Sequence, residues 1–153
     1  MIPIYTPYLE KYKKSALTAI STNWISNYGV FVKNSEEKLK KILNVRYCIL
    51  MNNGTAASHC LLLALKYKHP HIKKIYIPNN VFVAPWNCVL MEYRKENLEV
   101  VKTNPTTLNM DTSEEYIKSL EKDSAVLIVH NLGNIVNVPR LKRIRPDIIF
   151  VED

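Results

Sequence analysis

The chain has 153 residues and a mass of 17.7 kDa, a size that suits one domain with a substantial buried core. Its residues are 47% hydrophobic and 23% charged, and no apolar run approaches the ~18 residues that span a bilayer, so a disordered chain and a membrane-spanning chain are both excluded. The net charge of +7 lies mainly in the first half, on lysines such as Lys11, Lys13 and Lys14 at helical spacing; we expect a solvated helix face there and no nucleic-acid partner.

Segments of strand length alternate with segments of helical periodicity from residue 34 onward. Asn34-Ser-Glu-Glu37 resembles a capping box, which predicts a helix from Asn34 to about Leu43, and residues 45–50 (VRYCIL) follow as a strand. Residues 55–67 predict a second helix, which we expect to be deeply buried because nearly all of its side chains are apolar.

The remaining predicted elements continue the same alternation. In chain order they are strand 75–77, helix 82–93 with Pro85 in its first turn, strand 98–102, helix 112–122, strand 125–130, helix 139–144 and strand 148–151. This order predicts an α/β fold, with a mostly parallel sheet of five strands and helices on both faces. No helix follows the last strand, so we expect the front part of a larger fold.

The three cysteines are odd in number, widely spaced and set among aliphatic residues. We therefore expect free, buried thiols in a reducing compartment, with neither disulfides nor a metal site, at Cys48, Cys60 and Cys88. The first residues also lack a basic start followed by an apolar segment. Both observations predict a cytoplasmic protein without a membrane partner.

Glycine is scarce, with three residues in the chain, so the position of each one is informative. Gly54 comes between a predicted strand and a predicted helix, and is followed by Thr55. A glycine there lets an anion approach the first amides of the helix and the Thr55 hydroxyl, which would form a phosphate cradle. A plain turn, with glycine at a positive φ, explains the motif equally well.

Three further side chains follow the carboxyl ends of predicted strands: Phe82, His130 and Asp153. In open α/β sheets ligands bind outside those ends. Each side chain has an ordinary structural role available to it, as a core aromatic, a structural hydrogen bond or a helix cap. Because all of them follow strand ends, we favour a common binding crevice.

Five motifs, the first of them in two parts, resemble in order the sugar aminotransferases of the DegT/DnrJ/EryC1/StrS family, most closely the perosamine-synthase type, and they extend along nearly the whole chain. They are TNWISNYG at 22–29, EEKL at 36–39, NGTAA at 53–57, IPNNVFVA at 77–84, VHNLGN at 129–134 and FVED at 150–153. All three glycines fall inside them. The resemblance implies the front part of the large domain of the aspartate-aminotransferase-type fold (PLP fold type I). Residues 1–33 would be an amino-terminal segment and residues 34–153 an incomplete pyridoxal-phosphate domain, without the small carboxy-terminal domain.

The resemblance also implies roles for individual residues. Asn53, Gly54 and Thr55 would bind the phosphate of pyridoxal 5'-phosphate, Phe82 would stack on its ring, and Asp153 would pair with its pyridine nitrogen. His130 would contact the ring or orient Asp153. Near the sugar, the implied substrate-binding residues are Ser26, Asn27 and Tyr28. Among several departures from the family pattern, Ser58 replaces the leucine that follows the phosphate motif.

The largest departure from the family pattern is the absence of a lysine. The family forms a Schiff base with its cofactor through a lysine downstream of the acidic residue, and no lysine of this chain has a matching context. We therefore expect the 153-residue chain alone to be inactive.

Three functions remain open at this point. The first is amino transfer from an amino-acid donor, glutamate by expectation, to a keto group of a nucleotide-linked deoxy sugar, in a homodimer. The second is a sugar dehydratase of the same family, in which the lysine is replaced. The third is a catalytically inactive fragment that binds or dimerises with a partner.

Overall fold

The computed structural model describes residues 8–153, which divide into two compact units, one ending at Leu50 and the other beginning at Met51. No helix among these described residues is long and apolar enough to cross a membrane. The first unit is helical. Its elements are a 3-10 turn at Glu10–Tyr12, helix α1 at Lys13–Ser21 and helix α2 at Val30–Leu43.

Helix α2 begins four residues before the predicted start at Asn34. Gly29, with extended backbone, occupies the N-cap position, so Asn34 lies inside the helix and the predicted capping box is wrong. Glu37 pairs with Lys40 at 2.9 Å instead of reaching back to a free amide. Asn44 is the C-cap residue of the helix and has a left-handed backbone (φ 51°). Asparagine tolerates this conformation better than most residues do.

The predicted strand at residues 45–50 is also wrong. The segment has no regular secondary structure and bends at Arg46, and its Tyr47 and Ile49 are exposed. A strand needs a neighbour to satisfy its backbone donors and acceptors, and no segment of the described chain pairs with this one. The Leu50 amide donates instead to the Glu36 carboxylate, at 2.9 Å.

The second unit is a four-stranded parallel sheet flanked by helices, which confirms the predicted fold class. Its elements are helix α3 at Gly54–Lys68, strand β1 at Lys74–Pro78, helix α4 at Val83–Glu92, a 3-10 turn at Lys95–Asn97, strand β2 at Leu98–Val101, helix α5 at Glu114–Ser119, strand β3 at Ser124–Ile128, a 3-10 turn at Asn131–Gly133, helix α6 at Val138–Ile144 and strand β4 at Ile149–Glu152. The strand order is β2-β1-β3-β4.

Alternation along the strands divides the core into two layers. Side chains at even and odd positions of a strand point to opposite faces, so Ile75 and Ile77 meet one layer while Tyr76 meets the other. The first layer holds residues of α3 and α4 such as Leu62 and Val89, and the second holds residues of α5 and α6: Ile117 and Leu141. Both faces of the sheet are therefore covered, as expected for parallel strands.

Helix α3 is less buried than its apolar composition predicts. Only Ser58, Leu62 and Leu65 are buried, at a spacing of four and three residues that forms one stripe, while Tyr67 is 92% exposed.

The cysteines also differ in burial. All three are free, as predicted, but Cys88 alone is buried and Cys60 is exposed.

Arg145 joins α5, α6 and the start of β4. Its guanidinium donates to the carbonyl oxygens of Ile117, Lys118 and Leu120 at 3.3, 3.2 and 2.6 Å, at the end of α5 where carbonyls run out of helical amide partners. The same guanidinium binds Asp147 through two parallel hydrogen bonds of 2.9 and 2.7 Å. A single side chain thus closes the carboxyl end of a short helix.

We predict that Arg145→Ala lowers the free energy of unfolding by about 2 to 3 kcal/mol, because it leaves several partly buried carbonyls without a charged donor. Urea unfolding followed by circular dichroism measures the change. Arg143→Ala is the matched control, since Arg143 is exposed on the same helix and its loss should be nearly neutral. Equal losses in the two variants would contradict the proposed capping role.

A second prediction concerns acid. The hydrogen bonds from Arg145 lower the pKa of Asp147 to about 2, from 3.8. A carboxyl group with a lowered pKa in the folded state stabilises the fold above its unfolded pKa and loses that contribution as pH falls through the folded pKa. The stability difference between the wild type and Asp147→Asn should therefore shrink as pH falls from about 4 to about 2. A difference that stays constant over this range, in urea unfolding, would contradict the pairing.

Candidate functional site

The carboxyl edge of the parallel sheet gathers residues from three adjacent strands. Phe82 follows β1, His130 follows β3 and Asp153 follows β4. Since the strand order is β1-β3-β4 and neighbours are ~4.8 Å apart, these residues leave the sheet side by side. The predicted convergence of strand ends is therefore what the sheet order produces, while the functional roles stay predictions.

Helix α3 brings its amino terminus to this region. Asn53 is its N-cap, and the Asn53 side chain accepts a hydrogen bond from the Ala56 amide at 2.8 Å. The first backbone bond of the helix runs from the Ala57 amide to the Asn53 carbonyl at 3.2 Å. The amides of Gly54 and Thr55 precede that bond and so have no helical acceptor. Asn53 therefore shapes the turn through its cap, and Gly54 and Thr55 carry the donors that could hold an anion.

Gly54 does not have the positive φ that a plain turn would use to explain it; among the described glycines that conformation occurs at Gly133. A side chain at Gly54 would meet nothing within 4 Å, so no neighbour among the described residues demands a glycine here. Open space at the amino end of a helix is what a phosphate needs in order to reach backbone amides. The positive-φ explanation for Gly54 is therefore wrong, and the phosphate cradle stays a prediction.

Asp153 is tied to the same turn through Ser58. The Ser58 hydroxyl lies 2.9 Å from Asp153 Oδ1 and 3.0 Å from the Gly54 carbonyl oxygen. The backbone of Asp153 extends the sheet: its amide donates to Ile128 at 2.9 Å. One buried hydroxyl therefore lies between the Asp153 carboxylate and the Gly54 carbonyl. These two residues are 99 positions apart in the sequence.

Cys88 of α4 is close enough to this carboxylate to be influenced by its charge. It is 1% exposed, and its thiol contacts the Thr55 carbonyl at 3.4 Å. Burial raises the pKa of the Cys88 thiol, and the negative charge of Asp153 raises it further. The thiol is therefore neutral at pH 7 and is a packing group of the site rather than a nucleophile.

His130 pairs with a different acid from the one that the sequence suggested. Its Nε2 lies 3.0 Å from Glu152, and its Nδ1 accepts from the Val136 amide at 3.1 Å, an arrangement that puts the proton of the neutral ring on Nε2. The hydrogen bond between His130 and Asp153 runs through the backbone, from the His130 amide to the Asp153 main-chain oxygen at 3.4 Å. Both ring nitrogens are thus engaged, and the imidazole does not orient the Asp153 carboxylate.

An asparagine network ties the loops at this edge together. The Asn131 side chain donates to the carbonyls of Asn80 and Leu108 at 3.3 and 3.0 Å, and its amide donates to the side chain of Asn109 at 2.9 Å. Asn109 in turn donates to the Asn134 carbonyl at 2.7 Å. These bonds connect the loops after β1, β2 and β3, so this edge of the sheet is one hydrogen-bonded unit.

The aromatic candidate is open to solvent. Phe82 is the N-cap residue of α4 and is 77% exposed, an unusual position for a phenylalanine that packs in a core. Pro85 lies in the first turn of that helix, as predicted, where its missing donor costs nothing. An exposed ring at a strand end is available for stacking on a planar ligand.

The predicted sugar-binding residues belong to the first unit, on the turn between α1 and α2. The Ser26 hydroxyl accepts from the Tyr28 amide at 3.2 Å and donates to Asn27 Oδ1 at 3.3 Å. Glycine is favoured at Gly29, because a Cβ there would lie 3.1 Å from the Ser26 carbonyl oxygen, a tight contact. Tyr28 is 88% exposed. The turn is well defined, and its role in sugar binding stays a prediction.

Ser58 is the site residue whose role the sequence did not indicate. The only signal was a polar side chain at the start of an otherwise apolar helix stripe, in place of the leucine of the family pattern. Among the described residues, no cluster of three or more histidine, cysteine, aspartate or glutamate side chains could hold a metal ion. The groups that the candidate site offers to a ligand are the amides of Gly54 and Thr55, the Thr55 hydroxyl, the Phe82 ring and the Asp153 carboxylate.

Comparison with known proteins gives this arrangement a context. A GDP-perosamine synthase of Escherichia coli O157:H7 is 28% identical over 134 residues, which is 87% of this chain and 36% of the relative. A GDP-4-keto-6-deoxy-D-mannose 3-dehydratase of Escherichia coli O55:H7 is 28% identical over 148 residues, 90% of this chain and 37% of the relative. The chain thus spans little more than a third of these relatives.

A solved structure gives the same result. GDP-4-keto-6-deoxymannose-3-dehydratase with a trapped PLP-glutamate geminal diamine superposes with a TM-score of 0.78 at 25% identity, covering 99% of this chain and 40% of that one. The sequence profile of the DegT/DnrJ/EryC1/StrS aminotransferase family matches residues 8–153. The motif order, the parallel sheet and this match over nearly the whole sequence agree, and the chain belongs to the DegT/DnrJ/EryC1/StrS aminotransferase family.

Proposed function

We propose that this chain binds pyridoxal 5'-phosphate at the carboxyl edge of its sheet, as part of an enzyme that transfers an amino group to a nucleotide-linked keto-deoxy sugar. The observation that carries the proposal is the Ser58 bridge, which holds the Asp153 carboxylate beside the amino end of α3. A phosphate site and a carboxylate at a short distance from each other match the two ends of this cofactor.

The phosphate end fits the turn after Asn53. The amides of Gly54 and Thr55 and the Thr55 hydroxyl offer donors at the positive end of α3, a helix of 15 residues. Asn53 contributes indirectly, since its side chain is already bound to the Ala56 amide. Gly54 leaves room for a phosphate oxygen to approach the backbone.

The ring end fits Asp153 and Phe82. When bound, pyridoxal phosphate supplies a protonated ring that accepts electrons from the substrate carbon. The Asp153 carboxylate would accept the hydrogen bond of the protonated ring nitrogen and stabilise its positive charge. Phe82 would cover one face of the ring and exclude water from it. His130 would act at a distance, holding Glu152 and the Val136 loop at the rim.

The proposal extends to the parts of the enzyme that the sequence implies. Residues 1–33 would form an amino-terminal segment and residues 34–153 part of the large cofactor domain, with Ser26, Asn27 and Tyr28 near the sugar. The dehydratase structure holds a trapped PLP-glutamate geminal diamine, which supports glutamate as the amino donor. A homodimer in the cytoplasm is the assembly we expect. No lysine of this chain matches the family's nucleophile, so we propose that the chain alone binds the cofactor without turning over.

A second candidate is dehydration of the same class of sugar. It is favoured by the 3-dehydratase relative, whose identity of 28% equals that of the perosamine synthase. The coding sequence downstream of residue 153 separates the candidates: a lysine at the family's position supports amino transfer and a different residue supports dehydration. A stop codon there would support a non-catalytic fragment.

We predict that Asp153→Asn weakens binding of pyridoxamine phosphate to the 153-residue chain about 10- to 100-fold, the loss expected for a charged hydrogen bond. Pyridoxamine phosphate is the suitable probe because it carries the ring and phosphate but no aldehyde that could react with surface lysines. Equilibrium dialysis measures the affinity. Glu152→Gln is the matched control, since this neighbouring carboxylate pairs with His130. An unchanged affinity in Asp153→Asn would refute the assignment.

The phosphate cradle makes a separate prediction. Thr55→Val keeps the branched side chain and removes its hydroxyl, so it should weaken binding of pyridoxamine phosphate about tenfold, the loss expected for one hydrogen bond to a charged group. Binding of pyridoxamine, which lacks the phosphate, should not change. A parallel loss for both ligands in the same dialysis assay would place the phosphate elsewhere.

A further inference from the structure

Ser58 has a role that neither the family motifs nor the comparisons assign. We propose that the Ser58 hydroxyl is a positioning residue for Asp153, which holds one carboxylate oxygen so that the other faces the ring nitrogen of the cofactor. This inference rests on the proposed cofactor function and adds a residue to it. Its basis is the 2.9 Å hydrogen bond between Ser58 and Asp153 Oδ1.

Ser58 occupies a core position of α3. Ser58 is 3% exposed and lies one helical turn before the buried Leu62, on the stripe of α3 that faces the sheet. A leucine at this position, as in the family pattern, would present methyl groups to the carboxylate. The serine presents a donor instead, from the buried side of an Asp153 residue that is otherwise exposed.

A single proton serves two acceptors at this hydroxyl. Ser58 lies at hydrogen-bond distance from both the Asp153 carboxylate and the Gly54 carbonyl, at 2.9 and 3.0 Å. A carboxylate is a stronger acceptor than a carbonyl because it is charged, so the Ser58 hydroxyl donates its hydrogen bond to Asp153. The Gly54 carbonyl is the alternative acceptor of the same proton, one turn earlier in α3.

Asp153 needs such a partner, since its χ2 torsion is broad and the carboxylate plane can turn freely without one. The backbone of the residue is held by the Ile128 carbonyl, which leaves only the side chain to be oriented. His130 cannot orient it, because its ring nitrogens are bound to Glu152 and Val136. Cys88 is close enough for the Asp153 charge to raise its pKa, but its thiol contacts Thr55 instead.

The test compares two ligands that differ only at the ring nitrogen: pyridoxamine phosphate and its 1-deaza analogue, in which C–H replaces that nitrogen. Ser58→Ala should weaken binding of pyridoxamine phosphate to the 153-residue chain about tenfold, the loss expected when one hydrogen bond to a charged group is removed. It should leave the affinity for the deaza analogue within about twofold, because that ligand has no proton to share with Asp153. Ser58→Cys, which keeps the volume and a weak donor, should fall between Ser58→Ala and the wild type.

Ser124→Ala is the matched control. Ser124 is fully buried and its hydroxyl donates to the Glu121 carbonyl at 2.7 Å, but it begins β3, at the opposite edge of the sheet from Asp153. This variant should lower thermal stability without changing the ratio of the two ligand affinities. A double-mutant cycle of Ser58→Ala and Asp153→Asn adds a readout that needs no ligand. The changes in unfolding free energy of the two single variants should not sum to the change in the double variant.

The outcomes separate the two levels of the proposal. If the wild type binds neither ligand, the cofactor function falls and the positioning role falls with it. If the wild type binds pyridoxamine phosphate but Ser58→Ala weakens both ligands equally, or neither, Ser58 is a structural residue only and the cofactor function stands. If Ser58→Ala does not fold, the same comparison made with Ser58→Cys decides between these results.

Discussion

The parallel pairing of β3 with β4 is the constraint on which the candidate site depends. In a parallel sheet all strands end at one edge, so whatever follows each strand is delivered to the same side of the molecule. The pairing of Ile128 with Glu152 sets the register, and the Asp153 amide extends it by one more hydrogen bond to Ile128. The carboxylate therefore leaves the sheet from a defined backbone position, beside the loop that carries His130.

The two helical layers convert that edge into a chemical site. Helix α3 packs on one face through a stripe that begins with Ser58, so its amino end must lie close to the strand ends rather than to the opposite edge. Helix α4 contributes the buried Cys88 to the same layer and begins immediately after Phe82. The packing that forms the hydrophobic core and the placement of the polar groups thus have one cause, the direction in which each helix runs across the sheet.

Polar groups buried at this edge are stabilised by specific partners. Asn109, 6% exposed, is bonded to both Asn131 and Asn134, and Ser58 is bonded to Asp153. Buried polar side chains that keep their hydrogen bonds make a site rigid, whereas the same groups without partners would destabilise it. Away from this edge, Arg145 satisfies the carbonyls at the end of α5 in a comparable way. Each polar contact joins elements that are distant in the sequence.

The sequence by itself determined the type and order of the elements of the second unit, since runs such as SAVLI are apolar on both faces and predict buried parallel strands. It also determined which residues follow the strand ends, and through its motifs the family. Local patterns misplaced the start of α2, because Gly29 rather than Asn34 takes the N-cap, and they predicted a strand at residues 45–50 that has no partner. What only the tertiary structure decided was which side chains meet: that His130 binds Glu152, and that a serine of α3 reaches Asp153. Such pairings depend on the distance between segments far apart along the chain, and no periodicity within one segment encodes that distance.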